Sequence, residues 1–246
     1  MILDNMASLL EYPRFTKGMV RLHDFNFEFT DSLSFYWEIK DIFEEKIYHF
    51  RSAKKDPFII DAGGCIGASV LYFKRVYPEA KVISFEPDPN VFAVLSNNIA
   101  SNKMKDITLV NAGLGLDCSK ISFYADGLDG GSIYENINGN REKTEIKLVK
   151  LSDYMDQEVD LLKMNIEGAE NEVFQEIESK LSNVKEIIFE YHNFYNLPQS
   201  LGHILNILDR NGFRYVVTNS TSSRVPIPMR LPTDYRYFNL VYAKRF

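Results

Sequence analysis

From Pro57 onward the chain alternates short apolar runs with helical patterns. Phe58-Ile59-Ile60 precedes a glycine loop, after which Ile66, Val70, Phe73 and Tyr77 recur at helical spacing. Lys81–Phe85 predicts a second strand. Asp88-Pro89 then opens a helix, with Asp as N-cap, Pro at the first position and Phe92, Leu95 and Ile99 on its apolar face. Ile107–Val110, 160–166 and 186–191 predict three more strands. Val173, Phe174, Ile177 and Leu181 mark one later helix. Leu201, Ile204, Leu205 and Leu208 mark another, stopped by Asn211-Gly212. The last two strands fall at 213–217 and 239–243. Alternation of this kind predicts an α/β fold, a doubly wound, mostly parallel sheet. Residues 119–151 break the rhythm: two strands, near 121–124 and 145–151, flank a Gly/Asn-rich loop and read as a β-hairpin insertion.

Residues 1–57 have a different texture, rich in Phe and Tyr. Tyr36, Ile39, Phe43, Ile47 and Phe50 lie on one helical face, and Asp31 can cap that helix. The segment reads as a cap too small to fold alone, packed on a domain spanning 58–246.

Composition narrows the class. Of 246 residues 45% are hydrophobic and 25% charged, which excludes a disordered chain or a coiled-coil rod. The net charge of −6 and the absence of a compact basic run argue against nucleic acid. Two cysteines, Cys65 and Cys118, are too few for a disulfide framework and lack metal-ligand spacing. No metal is expected, and a reducing compartment is. No apolar run reaches the ~20 residues of a membrane span, and the N-terminus has no basic n-region. The expectation is a soluble, cytoplasmic protein with no membrane partner.

In an open parallel sheet ligands bind beyond the carboxyl ends of the strands, and five segments there are chemically unusual. In Asp61-Ala62-Gly63-Gly64-Cys65-Ile66-Gly67, glycines permit close backbone approach, while Ala62 replaces the first glycine of a dinucleotide fingerprint. Asp61 would repel a pyrophosphate but suits a cationic cofactor such as S-adenosylmethionine (SAM), with its sulfonium and ammonium. A tight strand-to-helix turn explains the glycines equally simply. Glu86 ends the second strand and can accept from both hydroxyls of a ribose. The Asn111–Gly115 turn, with Ala112, is a candidate adenine wall or an ordinary loop. Lys163, Asn165 and Glu167 share one strand face, as do Glu190 and His192. A lysine inside a central strand needs a carboxylate partner; Glu190 is the candidate, which makes Lys163 structural.

At these motifs the chain resembles the FkbM-type methyltransferases, class I SAM-dependent enzymes. The matching pieces are DAGGCIG, FEPDP, NAGLG, the GGS at 130–132, and LLKMNIEGAENEVF followed by FEYH. The resemblance implies a seven-stranded sheet whose last strand is antiparallel, SAM as cofactor, and methylation usually of a hydroxyl oxygen. Two positions depart from it: Cys65 stands where the family commonly has Asn, and Asn165 where it commonly has Asp.

The leading expectation is therefore O-methylation of a small hydroxylated molecule such as a sugar or natural product. N-methylation of a small substrate, an NAD-dependent oxidoreductase and an inactive SAM-binding module are the alternatives. Asp61, Gly63, Gly67, Glu86, Ala112 and Asn165 are the expected cofactor residues. His192, Glu190 and Glu167 are the expected catalytic residues. His192 is favoured as base, since an unperturbed imidazole titrates near ~6.5, and is expected to be more exposed than Glu190. Arg224, Arg230 and Arg236 suit an anionic acceptor, and solvated loop charges account for them equally well.

Overall fold

The N-terminal segment holds more than the single helix its spacing predicts. A computed structural model describes residues 2–3, 6–125, 142–194, 198–219 and 237–246. Ile2–Leu3 (β1) pairs in parallel with Gly18–Leu22 (β2), and Met6–Glu11 (α1) connects them. β2 turns into the antiparallel Phe25–Phe29 (β3) through His23 and Asp24, both left-handed with φ 51° and 72°. Two successive left-handed residues make the turn whose twist suits a hairpin. Asn-Gly is the usual signal for it, so His-Asp conceals the hairpin, although Phe25, Phe27 and Phe29 alternate as a strand should.

Ser32–Ile39 (α2) is capped as expected: the Asp31 carboxylate accepts the Ser34 amide at 3.0 Å. The helix ends earlier than the apolar spacing suggests. Lys40–Glu44 widens into a π-helical turn, and Lys46 is left-handed at φ 57°. Ile47 and Phe50 are buried outside any helix; they keep the spacing because they enter the same core as Ile39 and Phe43.

The body starts with Phe58–Ala62 (β4), followed by Ala68–Val76 (α3), Lys81–Phe85 (β5), Pro89–Ser101 (α4) and Ile107–Val110 (β6). Gly113–Leu114 (β7), Lys120–Ala125 (β8) and Glu142–Val149 (β9) form a separate three-stranded sheet in the order β7-β9-β8. The β8/β9 pair is antiparallel, which is the expected hairpin; Gly130-Gly131-Ser132 lies outside the described residues. Then come Val159–Met164 (β10), Glu170–Ile177 (α5), Val184–Asn193 (β11), Leu201–Arg210 (α6), Phe213–Asn219 (β12) and Tyr237–Arg245 (β13). The main sheet has seven strands in the order β12-β13-β11-β10-β4-β5-β6, and only β13 runs antiparallel to its neighbours. No helix among the described residues is long and apolar enough to cross a membrane.

β4 and β10 are buried along their whole length, as central parallel strands should be. One sheet face, through Ile60, Leu162 and Ile187, packs on α5 and α6. The other, through Ile59, Leu161 and Ile188, packs on α3, α4 and the N-terminal segment. On that second face β4, β5, β10 and β11 each carry a polar residue two positions after an apolar one. Ile59 leads to Asp61, Val82 to Ser84 and Glu86, Leu161 to Lys163, and Ile188 to Glu190 and His192. The sheet is thus apolar at one end and polar at its carboxyl end, on the face the N-terminal segment covers.

Two asparagines dock that segment. Asn98 Oδ1 accepts the Glu28 amide at 2.6 Å, while its Nδ2 donates to Glu28 O and Ile66 O at 2.9 and 2.8 Å. One helical turn on, Asn102 repeats the pattern with Asn26 N and O at 2.8 and 2.7 Å. Asn98→Ala strands three backbone groups, each worth about 1–3 kcal/mol if left unpaired in the interior. Water reaches part of the site, so we expect a loss of about 2–3 kcal/mol in urea unfolding. Asn102→Ala, at a half-buried position nearer the surface, should cost under about 1 kcal/mol.

Candidate active site

After β6 the chain leaves one side of β4 and returns on the other as β10. A parallel sheet opens a crevice at such a switch point. Asp61 and Lys163 are register partners across it. Lys163 Nζ lies 3.0 Å from Asp61 Oδ1 and donates to the Gly63 carbonyl at 2.5 Å. Asp61 Oδ2 accepts from Ser69 and Ser84 at 2.8 and 3.0 Å. The partner of Lys163 is thus Asp61 rather than Glu190, because register sets Asp61 directly beside it.

Above this pair lies a cavity of ≈ 460 Å³, within the usual range for small-ligand sites. Its floor is the glycine loop. Gly63 has φ +85°, and a Cβ there would come within 1.8 Å of the Asn165 carbonyl, so only glycine fits. Cys65 is also left-handed, at φ 46°, and its amide donates to Glu86 Oε2 at 3.0 Å. Glu86 Oε1 accepts the Asp88 amide at 2.9 Å. Burial pushes the Glu86 carboxyl up to about 8, against the pull of the two amides. Ala112, Leu114, Phe123 and Leu148 add an apolar wall from the β6–β7 turn and the hairpin.

The far side is polar. Glu190 Oε1 accepts from Tyr48 Oη at 2.5 Å and from Asn165 Nδ2 at 3.2 Å. Burial raises the Glu190 carboxyl above the ordinary carboxylate range, opposed by His192, Tyr48 and Lys163. The Asn165 Oδ1 atom is buried with no hydrogen-bond partner among the described residues. His192 is 4% exposed, less than Glu190, which reverses the expected order. Its Nε2 is 3.2 Å from Glu167 and its Nδ1 is 2.8 Å from Glu170. Burial disfavours the imidazolium, but the two carboxylates outweigh it and hold the ring protonated well above its usual range. His192 therefore has no vacant nitrogen to act as a base in this arrangement. Glu167 sits at φ +54°, a rare conformation for a non-glycine residue that is common at functional sites.

Most of the expected site converges. Gly63, Glu86, Ala112, Asn165, Glu167, Glu190 and His192 line one cavity. Asp61 and Gly67 do not line it. Asp61 is fully buried and faces Lys163 and two serines. Gly67 caps α3 and packs on Leu95, where a Cβ would approach to 2.7 Å. Arg224, Arg230 and Arg236 lie outside the described residues. Sequence reasoning missed Glu170 and Tyr48. Glu170 carried a signal, being the second acid of Glu-Gly-Ala-Glu; Tyr48, from the N-terminal segment, carried none.

The family "Methyltransferase FkbM domain" matches residues 61–215. "Methyltransferase sdnD" of Sordaria araneosa is 32% identical over an alignment of 176 residues that covers 57% of this chain and 68% of that protein. "31-O-demethyl-FK506 methyltransferase FkbM" of Streptomyces tacrolimicus is 24% identical over 215 residues, covering 72% of this chain and 81% of its own. Among solved structures, a methyltransferase FkbM from Methylobacillus flagellatus KT superposes with a TM-score of 0.55 at 17% identity. That superposition spans 85% of this chain and half (50%) of the other, and it bears on the fold.

Two variants check the electrostatics. Lys163→Met leaves Asp61 buried without its cation and should lower stability by about 3–5 kcal/mol in chemical denaturation. Glu86 binds its proton more tightly folded than unfolded. Its contribution to stability is therefore full below the ordinary carboxylate range and is lost as pH rises through about 8. Glu86→Gln should remove that decline from the stability–pH profile of the ligand-free protein, and an unchanged profile would contradict the assignment.

Proposed function

The chain belongs to the FkbM methyltransferase family, and from that premise we propose that it transfers the methyl group of SAM to a hydroxyl oxygen of a small molecule. The observation that carries the reading is two carboxylates in one cavity with different environments. Glu86 is held by backbone amides at the end of β5. Glu190 has both its hydrogen bonds on Oε1, leaving Oε2 without a hydrogen-bond partner among the described residues.

The residues present suit SAM. Glu86 would accept from the ribose hydroxyls, as a strand-end acid does for adenosine ligands. The unpaired Asn165 Oδ1 offers an acceptor to the ammonium group. Ala112, Leu114 and Phe123 offer an apolar wall to the adenine. When bound, SAM supplies an electrophilic methyl carbon on a sulfonium.

The protein's tasks are then alignment and proton removal. An acceptor hydroxyl is a poor nucleophile while it keeps its proton. Glu190 is the base this reading assigns: its Oε2 takes the proton as the new C–O bond forms, a contribution of about 10²–10⁴-fold. Tyr48 and Asn165 hold Oε1 and fix the carboxylate plane. His192, kept as an imidazolium, braces Glu167 and Glu170 instead of taking the proton. Oxygen rather than nitrogen as the acceptor atom is supported by this base and by the name of the Streptomyces relative. An anionic acceptor rests on Arg224, Arg230 and Arg236 alone. Among the described lining residues six are acidic, Glu38, Asp41, Glu86, Asp88, Glu167 and Glu190, against Lys163 and His192 as cations.

Calorimetry with S-adenosylhomocysteine (SAH) and a SAM-consumption assay over sugars, nucleotide sugars and hydroxylated natural products test the reading. SAH should bind, and above pH 8, where Glu86 is ionised, Glu86→Ala should weaken it by about 1.5–3 kcal/mol. Binding of NAD with no heat from SAH would refute the cofactor. Glu190→Gln should lower kcat by about 10²–10⁴-fold with SAH affinity nearly unchanged, and kcat should rise with pH through the Glu190 pKa. Wild-type turnover in Glu190→Gln would remove Glu190 as the base.

A further inference from the structure

The polar groups around Glu190 form a chain that starts in the sheet and ends in the N-terminal segment. Asp61 pairs with Lys163, and Lys163 Nζ stands 5.1 Å from the centre of the Tyr48 ring. That distance is within the reach of a cation–π contact. Tyr48 Oη then donates to Glu190 Oε1 at 2.5 Å. Asp61, Lys163 and Glu190 all lie inside the segment 61–215 that matches the family, and Tyr48 lies outside it. We propose that Tyr48 is a positioning residue for Glu190, through which the N-terminal segment completes the candidate active site and sets the protonation of its base.

Local structure explains how Tyr48 gets there. A regular helix continuing from α2 would hold residues 47 and 48 on its own axis. The π-helical turn at Lys40–Glu44 and the left-handed Lys46 end the helix and redirect the chain. The Ile47 amide reaches back to the Asp41 carbonyl at 3.1 Å, and Ile47 and Tyr48 both enter the cavity. π-helical turns recur at functional sites for this kind of re-aiming.

The chemistry gives Tyr48 a specific role. Its ring is 3% exposed, and burial together with the Glu190 charge keeps its phenol protonated well above the usual range. It is therefore a fixed donor that never competes for the proton Glu190 must accept. Donation to Oε1 stabilises the carboxylate against its burial and leaves Oε2 for the acceptor. The other charged or titratable groups facing Glu190 are Lys163 from β10, Glu167 beyond it, His192 on β11 and Tyr242 on β13. Among the described residues none of these donates a hydrogen bond to Oε1; Asn165 shares that oxygen at 3.2 Å.

The inference rests on Glu190 as base, and the test separates the two. Tyr48→Phe keeps the ring over Lys163 and deletes only the hydroxyl. In full-length protein with SAH bound, carbon-13 NMR of labelled glutamate follows the Glu190 carboxyl, identified as the resonance missing in Glu190→Gln. Tyr48→Phe should move its midpoint up by about one pH unit, a tenfold fall in the carboxylate fraction below the midpoint. SAH affinity should be unchanged. In the consumption assay the acid limb of the kcat profile should move up equally, with kcat recovering in alkali. An unmoved midpoint overturns the role of Tyr48. A moved midpoint with full turnover in Glu190→Gln keeps the coupling to Glu190 and overturns the base, and with it the role of Tyr48 in catalysis. If Tyr48→Phe does not fold, the wild-type protein gives a second reading. A slowly exchanging hydroxyl proton should vanish in Glu190→Ala, which leaves Tyr48 without its acceptor, and its persistence there overturns the proposal.

Discussion

Placing a lysine and an aspartate side by side in the middle of a parallel sheet carries a desolvation penalty of several kcal/mol per ion, and a buried pair often contributes less stability than the apolar residues that could replace it. Asp61 and Lys163 offset part of that penalty through the contacts around them. Two serine hydroxyls, the Gly63 carbonyl and a tyrosine ring surround them. The pair also decides what is built above it. Lys163 holds the carbonyl of the first loop glycine, Ser69 anchors the start of α3, and Ser84 ties in β5. The cavity floor, the glycine loop and the tyrosine beside Glu190 all adjoin one cross-strand contact.

Much of this was legible because parallel strands impose strict alternation. Ile59 with Asp61, Leu161 with Lys163 and Asn165, and Ile188 with Glu190 and His192 put polar groups on one face at one end of the sheet, whatever their neighbours do. Alternation gives the face but not the depth or the partner. Asp61 is on the right face yet sealed beneath Lys163, and His192 is on the right face yet enclosed by two acids. Glu170 acts through its place at the start of α5, which strand periodicity does not touch. Tyr48 is 142 positions from the carboxylate it contacts, and no local pattern spans that distance. The β2–β3 hairpin escaped for a simpler reason: its left-handed turn uses His-Asp in place of the glycine-containing pairs that signal such a turn.

The two loops that face each other across the crevice share a backbone habit. Cys65 in one and Glu167 in the other are non-glycine residues at φ 46° and 54°. Such residues cost of order 1 kcal/mol or more and persist only where surrounding contacts over-determine them. Here those contacts are Glu86 on the Cys65 amide and His192 on the Glu167 carboxylate. Each strained residue is thus fastened by a group of the candidate site, so the shape of the cavity and its charge pattern hold one another in place.

The asparagines that dock the N-terminal segment do something for the molecule beyond docking. The outer strand of a small sheet is an open template, with amides and carbonyls ready to pair with any extended chain nearby. In β3 that rim faces α4, where Asn98 and Asn102, spaced one helical turn apart, present their amides to Asn26 and Glu28 as a neighbouring strand would. A helix thereby imitates a strand, and the three-stranded sheet ends without an edge on that side. For a phenylalanine-rich strand this removes the route by which two copies could zip together, so protection against aggregation is built into the same contacts that seat the segment over the cavity.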